Sequence, residues 1–396
     1  MECSPQSLSA FRSSFGKAPR FELDVPARIC VFGDHSDYVP WLSSNIVAFG
    51  SSEQRMRALI APRSDGLVKI VTSLEGCEAS EFSIQDVEIS GNWLGVLNAR
   101  DVPQPHWSNY VKGAVAYLTN QQDIQNGFEM LVDSNIPAAS GASSSSALTL
   151  CGLAAAHLAN NISWTPEGLS VMGGEAEWYV GTRGGMMDHA TMMFAQKGRV
   201  LKLEFGPFGT ESVEDSLGCK WFSVFTHPAD KGGAVRDAFN ELAYVQQEVV
   251  PSYLEEFGND GISELLASKL PETIEDEKYG RVRVRDRFQF VWNELFRARD
   301  FISILANPNQ DEVSELFDAS WNDTRDLLGT HTDEMEMIAA ELRGKEGVLG
   351  VKVLGAGFGG NLLVCAKDGV DLGSEGVEHT PGVGLRVVEL DQMIES

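Results

Sequence analysis

From Ile136 the chain runs through a loop of small and hydroxyl-bearing residues, Pro137-Ala138-Ala139-Ser140-Gly141-Ala142-Ser143-Ser144-Ser145-Ser146. It then passes directly into an alanine- and leucine-rich stretch that ends near Asn161 and contains no proline. The second half has strong helix propensity. A loop of small side chains feeding a helix leaves backbone N–H groups uncovered at the positive end of the helix dipole, which is a geometry suited to phosphate. The serine hydroxyls add donors, and one of them can ligate a magnesium ion carried in by a nucleotide. The competing reading is a flexible serine-rich linker. A linker, however, would not be bounded by the apolar run Phe128–Val132 on one side and a helix of core-like composition on the other.

Composition narrows the partners. A formal net charge of -26 excludes a nucleic-acid backbone and an anionic membrane as natural partners, since both need a basic footprint. The acids are spread over several segments and read as a solvated surface, so a bound polyanion must be held locally by N–H groups, Mg²⁺ and a few cations. The length of 396 residues is enough for about two domains. No apolar run approaches the roughly 20 residues that span a bilayer. The start, Met1-Glu2-Cys3-Ser4-Pro5, has neither the basic nor the apolar region of a secretion signal. The six cysteines lack C-x-x-C spacing, and Cys30, Cys151 and Cys365 sit in apolar runs, as expected of reduced thiols in a cytoplasmic protein.

Residues 1–20 are polar and read as a loosely packed lead-in. Phe21–Phe32 reads as a strand or hairpin ending in Gly33-Asp34-His35-Ser36-Asp37-Tyr38. An Asp-rich turn can satisfy its own backbone, which accounts for one acid more easily than for three polar groups in register. Carboxylates there also suit a polyhydroxylated ligand. Further strands are expected at Arg55–Ile60, Leu67–Val71, Gly198–Phe205, Val348–Val353 and Leu362–Ala366. Helices are expected at Trp107–Leu118, Pro166–Tyr179, Val235–Val250, Ile262–Lys269, Arg283–Leu305, Val313–Asp318 and Asp333–Leu342. The pattern is α+β. A change of composition at Gly206-Pro207-Phe208-Gly209 marks a boundary between domains 1–207 and 208–396. Gly355-Ala356-Gly357-Phe358-Gly359-Gly360 superficially matches a dinucleotide fingerprint, but a strand follows it where that motif needs a helix. A nicotinamide enzyme is rejected on that ground, and the loop is expected to brace a phosphate loop or the substrate.

Taken together and in order, three segments resemble the GHMP small-molecule kinases, and in detail their galactokinase branch. Arg28–Tyr38 is similar to a strand ending in Gly-Glu-His-Thr-Asp-Tyr, Pro137–Leu148 to the family's phosphate loop, and Gly355–Gly360 to its Gly-Gly-Gly-Phe-Gly-Gly loop. Trp107–Gly113 and Gly185–Asp188 fall where the family has similar segments. The resemblance implies a two-domain fold, ribosomal S5 domain 2-like at the N-terminus and ferredoxin-like at the C-terminus, with the active site between the domains. It implies an ATP- and Mg²⁺-dependent kinase acting on the anomeric hydroxyl of a monosaccharide. By position it makes Asp188 the general base or orienting group and Arg28 its cationic neighbour. Asp34, His35, Asp37, Tyr38 and Gly185 would hold the sugar. Gly141, Ala142, Ser143, Ser144, Ser145 and Ser146 would cradle the phosphates, with Ser145 and Glu177 as Mg²⁺ ligands and Gly355, Gly357 and Gly359 as a supporting loop. Read without the resemblance, Asp188 is a residue type that also caps helices.

Several positions depart from the branch. Asp34 stands for glutamate, one methylene shorter, and Val39-Pro40-Trp41 replaces Asn-x-Gly. Ala139-Ser140 replaces two glycines, Ala142 a leucine and His189 a glutamine. Phe239 falls where galactokinases place a substrate-contacting tyrosine, although Tyr244 lies a little further on. These changes leave the kinase reading intact and put galactose itself in doubt. The alternatives are a uronic acid, a pentose, an N-acetylhexosamine, or a regulator that binds sugar and ATP without turnover.

Overall fold

Two long antiparallel strands carry the first half of the molecule. In the computed structural model these are β1 (Phe21–Phe32) and β2 (Ser44–Pro62). The structure describes residues 4–74, 76–229, 233–257, 269–373 and 376–390. β1 is buried along its whole length, which its apolar second half anticipates; in its first half the buried Asp24 is held by ion pairs, to Arg55 at 2.5 Å and to Arg386. β2 serves two partners in turn. Its Met56–Pro62 half pairs with β5 (Phe128–Ser134), and its Ser44–Ala48 half pairs with β6 (Arg199–Phe205). β3 (Leu67–Thr72), β4 (Ser80–Ser83) and β7 (Gly209–Glu214) complete the sheet together with β14 (Arg386–Glu389), which returns from the far end of the chain to pair with β1.

Helices Asn109–Gln121, Ser144–Ala159 and Pro166–Ala176 cover one half of this sheet. Ser144–Ala159 is buried on nearly every side, as a helix hydrophobic all round must be. The 23-residue helix Val284–Ala306 covers the other half, packing Ala298 and Phe301 against Ile29, Val31 and Phe49. The second lobe is built on an antiparallel sheet in the order β11 (Val348–Leu354), β12 (Asn361–Lys367), β8 (Cys219–Phe225), β13 (Gly376–His379). A short hairpin, β9 (Ile274–Asp276) with β10 (Gly280–Val282), lies apart from both sheets. The architecture is α+β and two-lobed.

Most expected elements appear within a few residues. The lead-in needs correction: Pro5–Phe15 is a helix capped by Ser4, and Phe11 is buried against Leu59, Ala61 and Leu131. Leu8, Phe11 and Phe15 recur at helical spacing, a stripe that the polar residues around them hid. The acidic run from Glu211 to Glu214 forms part of β7, and β8, β13 and β14 had no sequence expectation. The helix expected over Ile262–Lys269 falls on residues 258–268, outside the described residues, up to its last position.

Candidate active site

The turn after β1 is closed by Ser36, whose hydroxyl donates to the Gly33 carbonyl at 2.8 Å. Both aspartates therefore reach outward. Asp34 Oδ2 accepts from Lys352 Nζ of β11 at 2.6 Å in a buried ion pair. Burial works against the Lys352 ammonium, but Asp34 and Glu294 outweigh it and hold its pKa above the usual lysine value. Glu294 ties the turn down from below: Oε2 accepts from the Gly33 amide at 2.8 Å, and Oε1 accepts from Arg297 and Ser320. Gly33 has φ 95°, and a Cβ there would lie 2.6 Å from the Asn45 carbonyl oxygen, so glycine is required.

Asp37 points to the opposite side of the turn and accepts from the Met187 amide at 2.8 Å. A Cβ on Gly185 would sit 2.3 Å from the same carboxylate oxygen, so this glycine lets the two segments close up. Burial, with the charge of Asp188 nearby, pushes the Asp37 carboxyl up to about 6 despite the Met187 amide. His35 Nδ1 lies 3.0 Å from the Tyr38 hydroxyl, and its ring packs edge-on against Phe239 at 5.0 Å. Burial lowers the His35 pKa, which keeps the imidazole neutral at pH 7.

Asp188 lies in the first turn of helix Met187–Phe194, a helix whose start has no side-chain cap. Its carboxylate is spent elsewhere. Oδ1 accepts from Arg28 Nε at 2.6 Å, and Oδ2 accepts from the hydroxyls of Ser143 at 2.6 Å and Ser146 at 3.3 Å. Burial alone would raise this carboxyl, but the Arg28 charge and these hydrogen bonds overcome it and hold Asp188 below the ordinary carboxylate range. Arg28 also donates to the Gly141 carbonyl at 3.2 Å, which ties the serine-rich loop to β1.

The two glycine-bearing loops meet backbone to backbone. A Cβ on Gly141 would lie 2.0 Å from the Leu354 carbonyl oxygen, and one on Gly355 2.9 Å from Gly141 Cα. Ser143, at the mouth of the Ser144–Ala159 helix, takes a left-handed φ of 59°, a conformation uncommon for a residue with a side chain. Beyond it, Ser145 and Glu177 face Tyr110, whose hydroxyl is pushed up to about 12 by burial and by the Glu177 charge.

These groups share one cavity of about 560 Å³. Arg28, Asp34, His35, Asp37, Tyr38 and Gly185 line it, as do Gly141, Ser143, Ser145, Glu177, Asp188 and Gly355. Other expected contacts lie elsewhere. Ala142 is fully buried, Ser146 is turned inward to Asp188, and Ser144 is off the wall. Gly357 packs on Thr330 and Gly359 on His227. The run of four hydroxyls is therefore divided, because a helix turns its successive residues through 100°. Sequence reasoning missed Lys352, whose signal is a lysine between valines in a buried strand just before the glycine loop. It also left Arg236 unmarked, a residue that lines the cavity beside Phe239. Tyr244 packs against Tyr279 at 5.3 Å, away from the cavity, and does not stand in for the missing tyrosine at 239.

Residues 109–196 match the family model described as the GHMP kinases N terminal domain. The galactokinase of Clostridium perfringens (strain 13 / Type A) is 24% identical over 356 residues, covering 89% of this chain and 87% of that protein. Among solved structures, Lactococcus lactis galactokinase complexed with galactose superposes with a TM-score of 0.79 at 23% identity, covering 97% of this chain and 99% of the other. Residues 109–196 carry the match to that family model, and the chain over most of its length is similar to galactokinases and shares their fold. The fold extends more loosely to Methanococcus jannaschii mevalonate kinase, with a TM-score of 0.59 at 15% identity over 88% of this chain and 91% of that one. Among the described residues no three His, Cys, Asp or Glu side chains gather as a complete metal site.

Proposed function

We propose that this galactokinase-like protein, a sugar kinase, transfers the γ-phosphoryl group of ATP to the anomeric hydroxyl of a free monosaccharide. The observation that carries the reading is the convergence of Asp188, Arg28, Asp37 and Ser145 on one cavity, although 160 residues separate Arg28 from Asp188. Phosphoryl transfer asks little covalent chemistry of a protein beyond positioning and charge neutralisation. The same reading puts the protein in the cytoplasm, with soluble sugar and nucleotide as its ligands, and divides the chain into domains 1–207 and 208–396, a division that β7 and β14 cross by pairing in the first lobe's sheet.

In this reading the sugar lies between the acid-rich turn and Asp188. Asp37, held by the Met187 amide, accepts from sugar hydroxyls when ionised. The free oxygen of Asp34 does the same while Lys352 neutralises the other. Asp188 is too acidic to strip a sugar hydroxyl in the ground state. Its part is to orient the C1 hydroxyl and receive the proton as the oxygen bonds to phosphorus. Arg28 keeps that carboxylate ionised and offers positive charge to the transferring group. The phosphates are held by the mouth of the Ser144–Ala159 helix and the Ser145 hydroxyl, with Ser145 and Glu177 as protein ligands of Mg²⁺. An Mg²⁺ held by these two residues would supply positive charge against the phosphates of the nucleotide. Phe239 lacks the hydroxyl a tyrosine would offer, and Asp34 is one methylene shorter than glutamate, so hexoses other than galactose, pentoses and uronic acids stay in the panel.

The test is a coupled ADP-release screen across free hexoses, pentoses, uronic acids and N-acetylhexosamines, with loss of reducing-sugar signal marking phosphorylation at C1. Sugar-dependent ADP release without loss of reducing ends would move the acceptor to another hydroxyl. Binding of sugar and ATP with no ADP release would make the protein a regulator.

A further inference from the structure

Behind the catalytic aspartate lies a buried side chain that the mechanism leaves unused. In helix Pro166–Ala176, Gly173 stands four residues before Glu177, so the two share a face. His189, on the neighbouring helix, packs against that face at Gly173. A Cβ on Gly173 would fall 2.3 Å from His189 Cδ2 and 2.9 Å from Nε2, so the glycine forms a seat for the imidazole. The residue is 1% exposed, yet neither ring nitrogen has a hydrogen-bond partner among the described residues. Leaving two such atoms unsatisfied in the interior is costly. Nε2 lies 3.5 Å from Glu177 Oε1, at the limit of a hydrogen bond, and His189, Glu177 and Ser145 all reach the same cavity. Two ligands at right angles on one octahedral cation, each at about 2.1 Å, stand about 3 Å apart. The pair is therefore spaced to close on a common ion with a shift of a few tenths of an ångström.

We propose that His189 Nε2 is a direct ligand of the divalent cation that accompanies the nucleotide, completing with Ser145 and Glu177 a site that favours first-row transition cations such as Mn²⁺ and Co²⁺ over Mg²⁺. Mg²⁺ prefers oxygen donors, whereas an imidazole nitrogen raises affinity along the transition series. The proposal rests on the ATP-dependent reading above.

The experiment is pulsed electron paramagnetic resonance of the full-length protein with Mn²⁺ and ADP. The expected result is ¹⁴N modulation from a directly bound imidazole that changes when the protein is grown with ¹⁵N-histidine, a substitution that leaves the fold untouched. His189→Gln should abolish that histidine signal and weaken ADP-dependent Mn²⁺ binding by about tenfold or more, with Mg²⁺ binding less affected. Gly173→Ala, which pushes the ring from its seat, should act in the same direction. Nitrogen from the adenine is common to all samples and cancels in the comparison. ADP-dependent Mn²⁺ binding without a histidine-derived signal would overturn the proposal and leave His189 as a residue that positions Glu177. Absence of any ADP-dependent Mn²⁺ binding would instead overturn the reading on which the proposal stands.

Discussion

The acid-rich turn after β1 and the first turn of helix Met187–Phe194 each bring a carboxylate into the same cavity, and the two are held in opposite states. Asp188 has a guanidinium and two hydroxyls around it and sits below the ordinary range. Asp37 has the Met187 amide and a burial cost with no direct cation, and its carboxyl titrates near 6. One segment therefore offers a charge that is permanent at physiological pH, and the other a charge that is easily lost. The difference lies in the partners and not in the aspartates. In the proposed reaction, the carboxylate that must be ionised until it takes a proton late in the transfer is the one paired with arginine. The carboxylate proposed to accept from sugar hydroxyls has only a backbone amide and is left for a ligand to satisfy.

The largest effect is expected at the permanently charged carboxylate. Asp188→Asn should lower turnover by about 10²- to 10⁴-fold while nucleotide affinity stays nearly unchanged, as read by ADP release beside calorimetric titration of nucleotide. Loss of nucleotide affinity instead would make Asp188 a brace for the phosphate loop through Ser143 and Ser146. Next comes the ground beneath the turn. Lys352→Met removes the cation from the buried Asp34 pair and should cost about 3–5 kcal/mol of stability, measured by denaturant unfolding. Adding Asp34→Asn should recover part of that loss.

The easily lost charge makes a pH prediction. The KM for sugar should rise as pH falls through about 6, by up to about tenfold per unit below it, and Asp37→Asn should flatten that dependence. Stability should move the other way. A carboxyl raised from 3.8 in the unfolded chain to about 6 in the folded one contributes stability that is complete below 3.8 and lost as pH rises through 6. Urea midpoints of the wild type and Asp37→Asn should therefore diverge across that window; parallel curves would show that Asp37 is no more protonated than an exposed aspartate. The smallest expected effect belongs to Phe239→Tyr. One regained hydrogen bond is worth about 0.5–1.5 kcal/mol, so galactose KM should fall by roughly two- to tenfold if the galactokinase arrangement holds there.

Much of the site was legible in the chain because its components are backbone-driven. Glycine at 33, 141 and 355 reports positive φ or close approach, and these requirements are local. The burial of Lys352 and Phe11 was not legible, because a lysine between valines and a phenylalanine among serines take their meaning from what packs against them. Nor was the fate of the four serines. The run looks uniform in sequence, but the helix that begins within it sends Ser143 and Ser146 to Asp188 and Ser145 to the cavity wall.

By itself the chain determined several of its longer strands, its longer helices and the three loops that carry the family likeness, since periodicity, propensity and turn chemistry act over a few residues. Only the tertiary structure decided which carboxylate is held ionised, which serine faces the cavity and which histidine lies against Glu177 with no hydrogen bond among the described residues. Those outcomes depend on desolvation and on partners brought from up to 318 residues away, as with Asp34 and Lys352, and electrostatic energy depends on separation in space, which the order of residues along the chain does not encode.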